Sequence, residues 1–156
     1  MIRPAARADA RALAELEVRA WRWAYTDIVG EQHMITVEDR ERRWRTEPLG
    51  GADVAEVGGR VAGVVQTGPS PAEPGVGLLH GLYVEPAAQG AGLGAALYDH
   101  AMRRLHGGGL REAVLWVFSG NGHARGFYER RGWVADGATG EWKGAPELRY
   151  RHNQAR

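Results

Sequence analysis

The order of elements in this chain predicts a mixed α/β sheet fold. Helical and strand-like hydrophobic periods succeed one another as βααββ and then βαβαββ. A glycine-rich loop, Gln89-Gly90-Ala91-Gly92-Leu93-Gly94-Ala95, stands between a strand and a helix. A second strand-to-helix junction, Phe118-Ser119-Gly120-Asn121, opens a later helix. The length of 156 residues is that of one domain, taken as residues 1–156.

Each element has a local reason. Met1 to Pro4 reads as a short first strand. Asp9 is placed to cap a helix reaching about Tyr25, with Leu13, Leu16, Ala20 and Trp23 at helical spacing. Thr36-Val37-Glu38-Asp39 resembles a capping box, and a charged helix to about Arg45 follows. Asp53 to Val57 and Arg60 to Thr67 alternate as strands, and Gly58-Gly59 between them signals a hairpin. Gly68 to Gly75 holds three prolines and reads as a loop. Gly77 to Val84 is the next strand. The helix after the glycine loop aligns Leu93, Leu97, Ala101 and Leu105, and Gly107-Gly108-Gly109 ends it. Then come a strand from Ala113 to Val117, a helix from Asn121 to Arg131, a strand from Trp133 to Asp136 and a last strand from Glu147 to His152. Gly132 sits where a left-handed helix stop is expected.

Composition narrows the function classes. Net charge is +1, which gives no general drive toward nucleic acid or membrane. The chain has 0 cysteines, so disulfides, a thiol nucleophile and thiolate metal sites are excluded, and no metal is expected. No run of about 18 apolar residues is present. Arg3, Arg7, Asp9 and Arg11 interrupt any signal-like apolar stretch. A cytoplasmic protein is the expectation.

The glycine loop is the most informative segment. Glycines let backbone N–H groups approach a ligand closely, and a helix N-terminus adds unpaired donors and positive dipole character. That combination suits a phosphate or pyrophosphate. A Walker loop needs Gly-Lys-Ser/Thr, yet the only lysine is Lys143. A dinucleotide fingerprint fits Gly90, Gly92 and Ala95 as a string. Its context is wrong, because Glu85-Pro86-Ala87-Ala88-Gln89 separates the strand from the glycines and the next strand ends without an acid. The pattern Q/R-x-x-G-x-G/A matches Gln89, Gly92 and Gly94, and it resembles the coenzyme A loop of the GNAT N-acetyltransferase family.

The resemblance extends downstream. Val114 to Phe118, Asn121, Ala124, Phe127-Tyr128 and Gly132-Trp133 look like the family's second signature, and Ile2-Arg3-Pro4-Ala5, Trp21, Tyr25 and Trp44 resemble its small bacterial members. The resemblance implies a mostly antiparallel central sheet splayed at the fourth and fifth strands and flanked by about four helices. It implies acetyl-CoA as donor co-substrate and a primary amine as acceptor, either a small molecule or a peptide amino terminus, on a monomer or homodimer. The cofactor set would be Leu82, Tyr83 and Val84, with Leu82 and Val84 pairing to pantetheine. Gln89, Gly90, Ala91, Gly92, Leu93, Gly94 and Ala95 would surround the pyrophosphate, with Asn121 and Tyr128 beyond.

Tyr128 occupies the family's general-acid position. A phenol of reference pKa about 10 is protonated near neutrality and can meet a thiolate whose conjugate acid lies near about 8.5. The base stays open. Many relatives carry a glutamate where this chain has Leu78. His80 shares the face of Leu78 and Leu82 by period two and is one candidate; Glu85 and ordered water are others. Arg125 and Arg130 could attract the 3′-phosphate. Acceptor recognition is expected from Trp21 to Trp44 and from the turn near Gly137 to Gly144. A CoA-binding sensor or subunit with little catalysis is the alternative from another class, and a nicotinamide enzyme using the same glycines is a third.

Overall fold

The computed structural model describes residues 1–154. Eleven regular elements follow one another: β1 (Ile2–Pro4), α1 (Ala10–Val29), α2 (Val37–Thr46), β2 (Ala52–Val57), β3 (Arg60–Pro69), β4 (Val76–Val84), α3 (Leu93–Gly107), β5 (Glu112–Phe118), α4 (Gly122–Glu129), β6 (Val134–Trp142) and β7 (Ala145–Asn153). The strands form one seven-stranded sheet in the order β1-β2-β3-β4-β5-β7-β6. Every pairing is antiparallel except β4 with β5. This is the mixed α/β architecture expected above.

The parallel pair creates the site. β4 and β5 are in register only from Val76 to Leu78 against Glu112 to Val114. Beyond that point the two strands part, and a gap opens between Leu79–Val84 and Leu115–Phe118. Helices cover both faces. Leu13 and Leu16 of α1 and Trp44 of α2 pack with Val54 and Val64 on one face. On the other, Leu97 and Ala101 of α3 pack on Ala55, Val65 and Val84. Leu105 and Tyr128 meet Leu79, Leu115, Trp133 and Tyr150 on that second face, so α3 and α4 share it. The C-terminal half of α1 crosses the gap, since Trp21, Tyr25 and Ile28 join Phe118, Trp142 and Ala145. Thus one helix ties the two halves of the splayed sheet together.

Several local expectations hold for the reasons given. Thr36 Oγ1 accepts the Asp39 N–H at 3.2 Å and caps α2. Gly58 and Gly59 take φ of +59° and +76°, the tight hairpin that needs two left-handed residues. Gly132, at φ +92°, ends the turn after α4.

Other expectations are corrected. Asp9 does not cap α1. Its carboxylate accepts from the Ala6 N–H at 2.7 Å and from the Arg3 guanidinium, so it pins β1 to the turn before the helix. α1 runs on to Val29 and stops at Gly30. Trp23 is 55% exposed, although its spacing suggested a core position. β6 continues through Gly137 to Trp142 rather than ending at Asp136. Asp136 Oδ1 takes the Ala138 N–H at 3.1 Å, and the register with β7 shifts there, so the Asp-Gly pair makes a bulge and not a turn. The reversal lies instead at Lys143 and Gly144, both at positive φ.

A second bulge matters more. Gln66 pairs with Gly81 and Thr67 with Leu79, which leaves His80 as an extra residue in β4. Leu79 and Leu82 therefore both face α3 and α4, and Tyr83 packs beneath α1 and α2. Period two fails across the bulge, so His80 and Leu82 do not share a face.

Candidate active site

Two cavities occupy the gap and adjoin one another, and the wall they share is termed the neck. One, of about 250 Å³, is bounded by Ala20, Trp23 and Ala24 of α1, by Leu82–Val84, by Gln89 and Gly94 of the loop, and by Asn121, His123, Phe127 and Tyr128. The other, of about 200 Å³, is bounded by Trp21, His80, Gly81, Trp116, Phe118, Trp142 and Glu147. Tyr25, Leu82, Tyr83, Ala124 and Tyr128 belong to both. Two adjoining chambers can hold two substrates with their reacting atoms in proximity.

The loop has the geometry of an anion site. Gly90 and Gly92 stand at φ +84° and +81°. Gly92 is the N-cap of α3 and contributes no side chain to the cap, so the first-turn N–H groups of Leu93, Gly94 and Ala95 point outward without intrahelical partners. Gly90, Ala91 and Gly92 are exposed; the Leu93 side chain packs on the α3 core and leaves only its main chain for a ligand. A Cβ on Gly94 would come no nearer than 3.8 Å to Val84 and 3.9 Å to Phe127, so the residue lies on the cavity wall and not in a tight spot. Gln89 turns its amide back to the Val84 carbonyl at 3.3 Å, fastening the loop to the end of β4.

The strand presents its edge to the same cavity. The Glu85 N–H bonds to the Ala62 carbonyl of β3. Backbone groups alternate in direction along a strand, so those of Tyr83 also face β3, while those of Leu82 and Val84 face the gap. Tyr83 therefore borders the cavities with its side chain, its backbone groups being directed to β3. Asn121 Oδ1 caps α4 by accepting the Ala124 N–H at 3.1 Å, and the residue is 9% exposed at the cavity wall.

Three phenols surround the neck. Tyr128 lies beneath α4 against Tyr98, Phe127 and Trp133. Burial pushes its pKa well above the ordinary phenol value, with the neighbouring Tyr83 adding to the effect. No hydrogen bond engages its hydroxyl among the described residues. Burial also raises Tyr83 and Tyr25. The Trp21 indole donates to the Tyr83 hydroxyl at 3.1 Å. All three phenols thus hold their protons at neutral pH.

His80 borders the second cavity from the bulge. Desolvation, followed by the charge of Arg43, lowers its pKa below the usual imidazole value, so it is a neutral proton acceptor at neutral pH. Glu85 is otherwise engaged: Arg19 of α1 grips its carboxylate at 2.6 to 3.0 Å. Arg125 is also committed, to the Tyr150 hydroxyl and the Ser119 carbonyl at 2.9 Å each. Glu147 carried no signal in the sequence beyond opening the last strand, yet it stands in the second cavity with Trp142 and Phe118. Only the parting of β4 and β5 brings these chain-distant residues together. Among the described residues no group of three or more His, Cys, Asp or Glu is placed to hold a metal.

Known proteins resemble this chain in sequence and in fold. Residues 11–133 match the model of the acetyltransferase (GNAT) family. A Mycobacterium tuberculosis protein named probable N-acetyltransferase is 31% identical over 150 residues, covering 91% of this chain and 84% of that one. A mycothiol acetyltransferase of Amycolatopsis mediterranei is 35% identical over 136 residues, but the match spans only 43% of its length. The crystal structure of a PaiA N-acetyltransferase from Thermoplasma acidophilum in complex with coenzyme A superposes with a TM-score of 0.79 at 18% identity, covering 98% of each chain.

The family match and the N-acetyltransferase relative place the chain in the class of acyltransferase enzymes. The chain belongs to the GNAT acetyltransferase family. Among its described residues no helix is long and apolar enough to cross a membrane.

Proposed function

We propose that this chain, as one domain over residues 1–156, moves the acetyl group of acetyl-CoA to a primary amine by direct attack. The observation that carries the reading is the junction of the two cavities at Tyr128, with the glycine loop at the outer end of one of them. In this reading the pyrophosphate sits on the N–H groups of Gly92 to Ala95. The pantetheine arm runs along the gap-facing backbone of Leu82 and Val84. Asn121 contributes its free amide N–H₂ to the same cofactor.

The reaction then follows from what lines the neck. The amine enters from the second cavity and attacks the thioester carbon. A strand amide, that of Leu82 or Val84, stabilises the negative charge that develops on the carbonyl oxygen. The tetrahedral centre collapses, the C–S bond breaks, and Tyr128 protonates the departing thiolate. His80, neutral and beside the acceptor, takes the proton that the amine loses, through water. A GNAT acetyltransferase acting on an amine accounts for the fold, the loop and the neck together.

The test is direct. Coenzyme A should bind at one per chain in calorimetry, and acetyl-CoA should release free thiol only when an amine acceptor is added. Binding without amine-dependent thiol release from a broad amine panel would leave a CoA-binding module in place of an enzyme. NADH binding tighter than coenzyme A would overturn the assignment of the loop.

A further inference from the structure

Glu147 is a carboxylate without a cation. It lies near the start of β7, after Ala145 and Pro146, opposite Phe118 of β5 and Gly140 of β6, and among the described residues no hydrogen bond or ion pair meets its side chain. It is only partly exposed, and burial raises its pKa. Its surroundings are aromatic. Trp21 stands edge-on to Tyr25 at 4.8 Å and to Trp142 at 5.0 Å between ring centroids, and Tyr25 is 5.0 Å from Phe118. These rings and Glu147 enclose the second cavity, whose lining contains no arginine and no lysine.

We propose that Glu147 and the ring set of Trp21, Tyr25, Phe118 and Trp142 select acceptors that arrive as a lone ammonium on a small apolar carrier, with no carboxylate beside the amine. This rests on the acetyl-transfer reading above and deepens it. A desolvated carboxylate is costly by itself, and an ammonium that fills the cavity removes that cost. The faces of the surrounding rings add attraction for a cation. An amino acid brings its own carboxylate into the same space, next to Glu147 and with no guanidinium to receive it. Arginines do line an adjoining cavity under α2, but there Arg40 pairs with Glu17 and Arg43 with Glu47. The volume of about 200 Å³ falls below the range of drug-sized ligand sites, roughly 300–1,000 Å³, which suits a carrier of a few carbons.

The test compares pairs that differ by one carboxylate: butylamine with norvaline, and phenethylamine with phenylalanine. Binding to the CoA-loaded protein is followed by isothermal titration calorimetry and by intrinsic tryptophan fluorescence, to which Trp21 and Trp142 of the cavity contribute, and turnover by thiol release. At least one of the two amines should bind tenfold or more tighter than its amino acid. Glu147→Gln should raise the KM of that amine tenfold or more, with kcat and coenzyme A affinity little changed. Equal binding within both pairs, or no binding of either amine, overturns the proposal. So does a Glu147→Gln effect confined to kcat, which would make the carboxylate a base and not a recognition group. If coenzyme A itself fails to bind, the acetyl-transfer reading falls first, and the fluorescence titration still reads the ammonium site separately.

Discussion

Tyr128 combines a dry environment with a hydroxyl that no other side chain engages among the described residues, and the general-acid role proposed for it rests on that. Desolvation keeps the phenol protonated across the working pH range. In the proposed reaction a thiolate leaving into the same gap would suffer the same penalty, so its proton affinity would rise alongside. Tyr128→Phe preserves the ring contacts and removes the proton; kcat should fall by about 10²–10⁴-fold with coenzyme A affinity unchanged. A variant within twofold of the parent would mean that solvent protonates the thiolate. His80 gives a pH signature. Because desolvation and Arg43 depress its pKa, it is the neutral base above that value and becomes charged, and useless as a base, below it. The rate should therefore fall as pH drops through a point under the ordinary imidazole value of about 6.5, and His80→Gln should remove that limb. An acceptor's own amine ionises higher, near about 8 for an α-amine or about 10.4 for a lysine side chain. A limb that moves with the acceptor's pKa and survives His80→Gln belongs to the substrate.

Elements position these residues, and at two of them the cap and the ligand contact can be separated. Asn121→Ala removes the cap of α4 and should cost about 1 kcal/mol in thermal unfolding. Asn121→Asp keeps the acceptor for the Ala124 N–H, so it should retain that stability while losing the amide donor and weakening coenzyme A binding. Equal coenzyme A affinity in Asn121→Asp and the parent would make the residue a cap and nothing more. In the loop, Gly92 stands at φ +81°, so any substitution there is strained whether or not a ligand is present. Gly94 has ordinary φ and open space around a Cβ, so Gly94→Val should fold normally and lose coenzyme A binding in calorimetry. These elements were readable because glycine loops, caps and hairpin turns are local chemistry. The bulges were not. Asp136-Gly137 has turn residues, and only the pairing of β6 with β7 on both sides of them makes them a bulge. His80 has no sequence mark that separates an extra residue from an alternating one. The partner strand decides, and with it the face on which every later residue of β4 lies.

For the whole molecule, the gap is an interruption in the sheet that a ligand can fill. α1 packs on β2 and β3 with its first half and on the β5 side with its second, so it spans the opening. The order of elements and the glycine loop before α3 were legible because each is carried by contiguous residues. Of the second cavity, Trp21, His80 and Trp142 fell in segments the sequence had singled out, whereas Phe118 and Glu147 join them only through the tertiary fold. Coenzyme A lying along β4 should add about 2.7 kcal/mol of stability at a concentration of about 100 times its Kd. In a chain of this size that raises Tm by several degrees, at roughly 2–4 °C per kcal/mol. Gly94→Val should melt like the parent without ligand and show no such rise with it.

The central claim is that acetyl transfer to an amine takes place at the neck between the two cavities. Thiol release from acetyl-CoA, measured across an amine panel with the acetylated product identified by mass spectrometry, tests it most directly. Amine-dependent release is expected, with an N-acetyl product in equal amount, and Tyr128→Phe should lose both without losing coenzyme A binding. Tight coenzyme A binding with thiol release no faster than hydrolysis for every amine would contradict it.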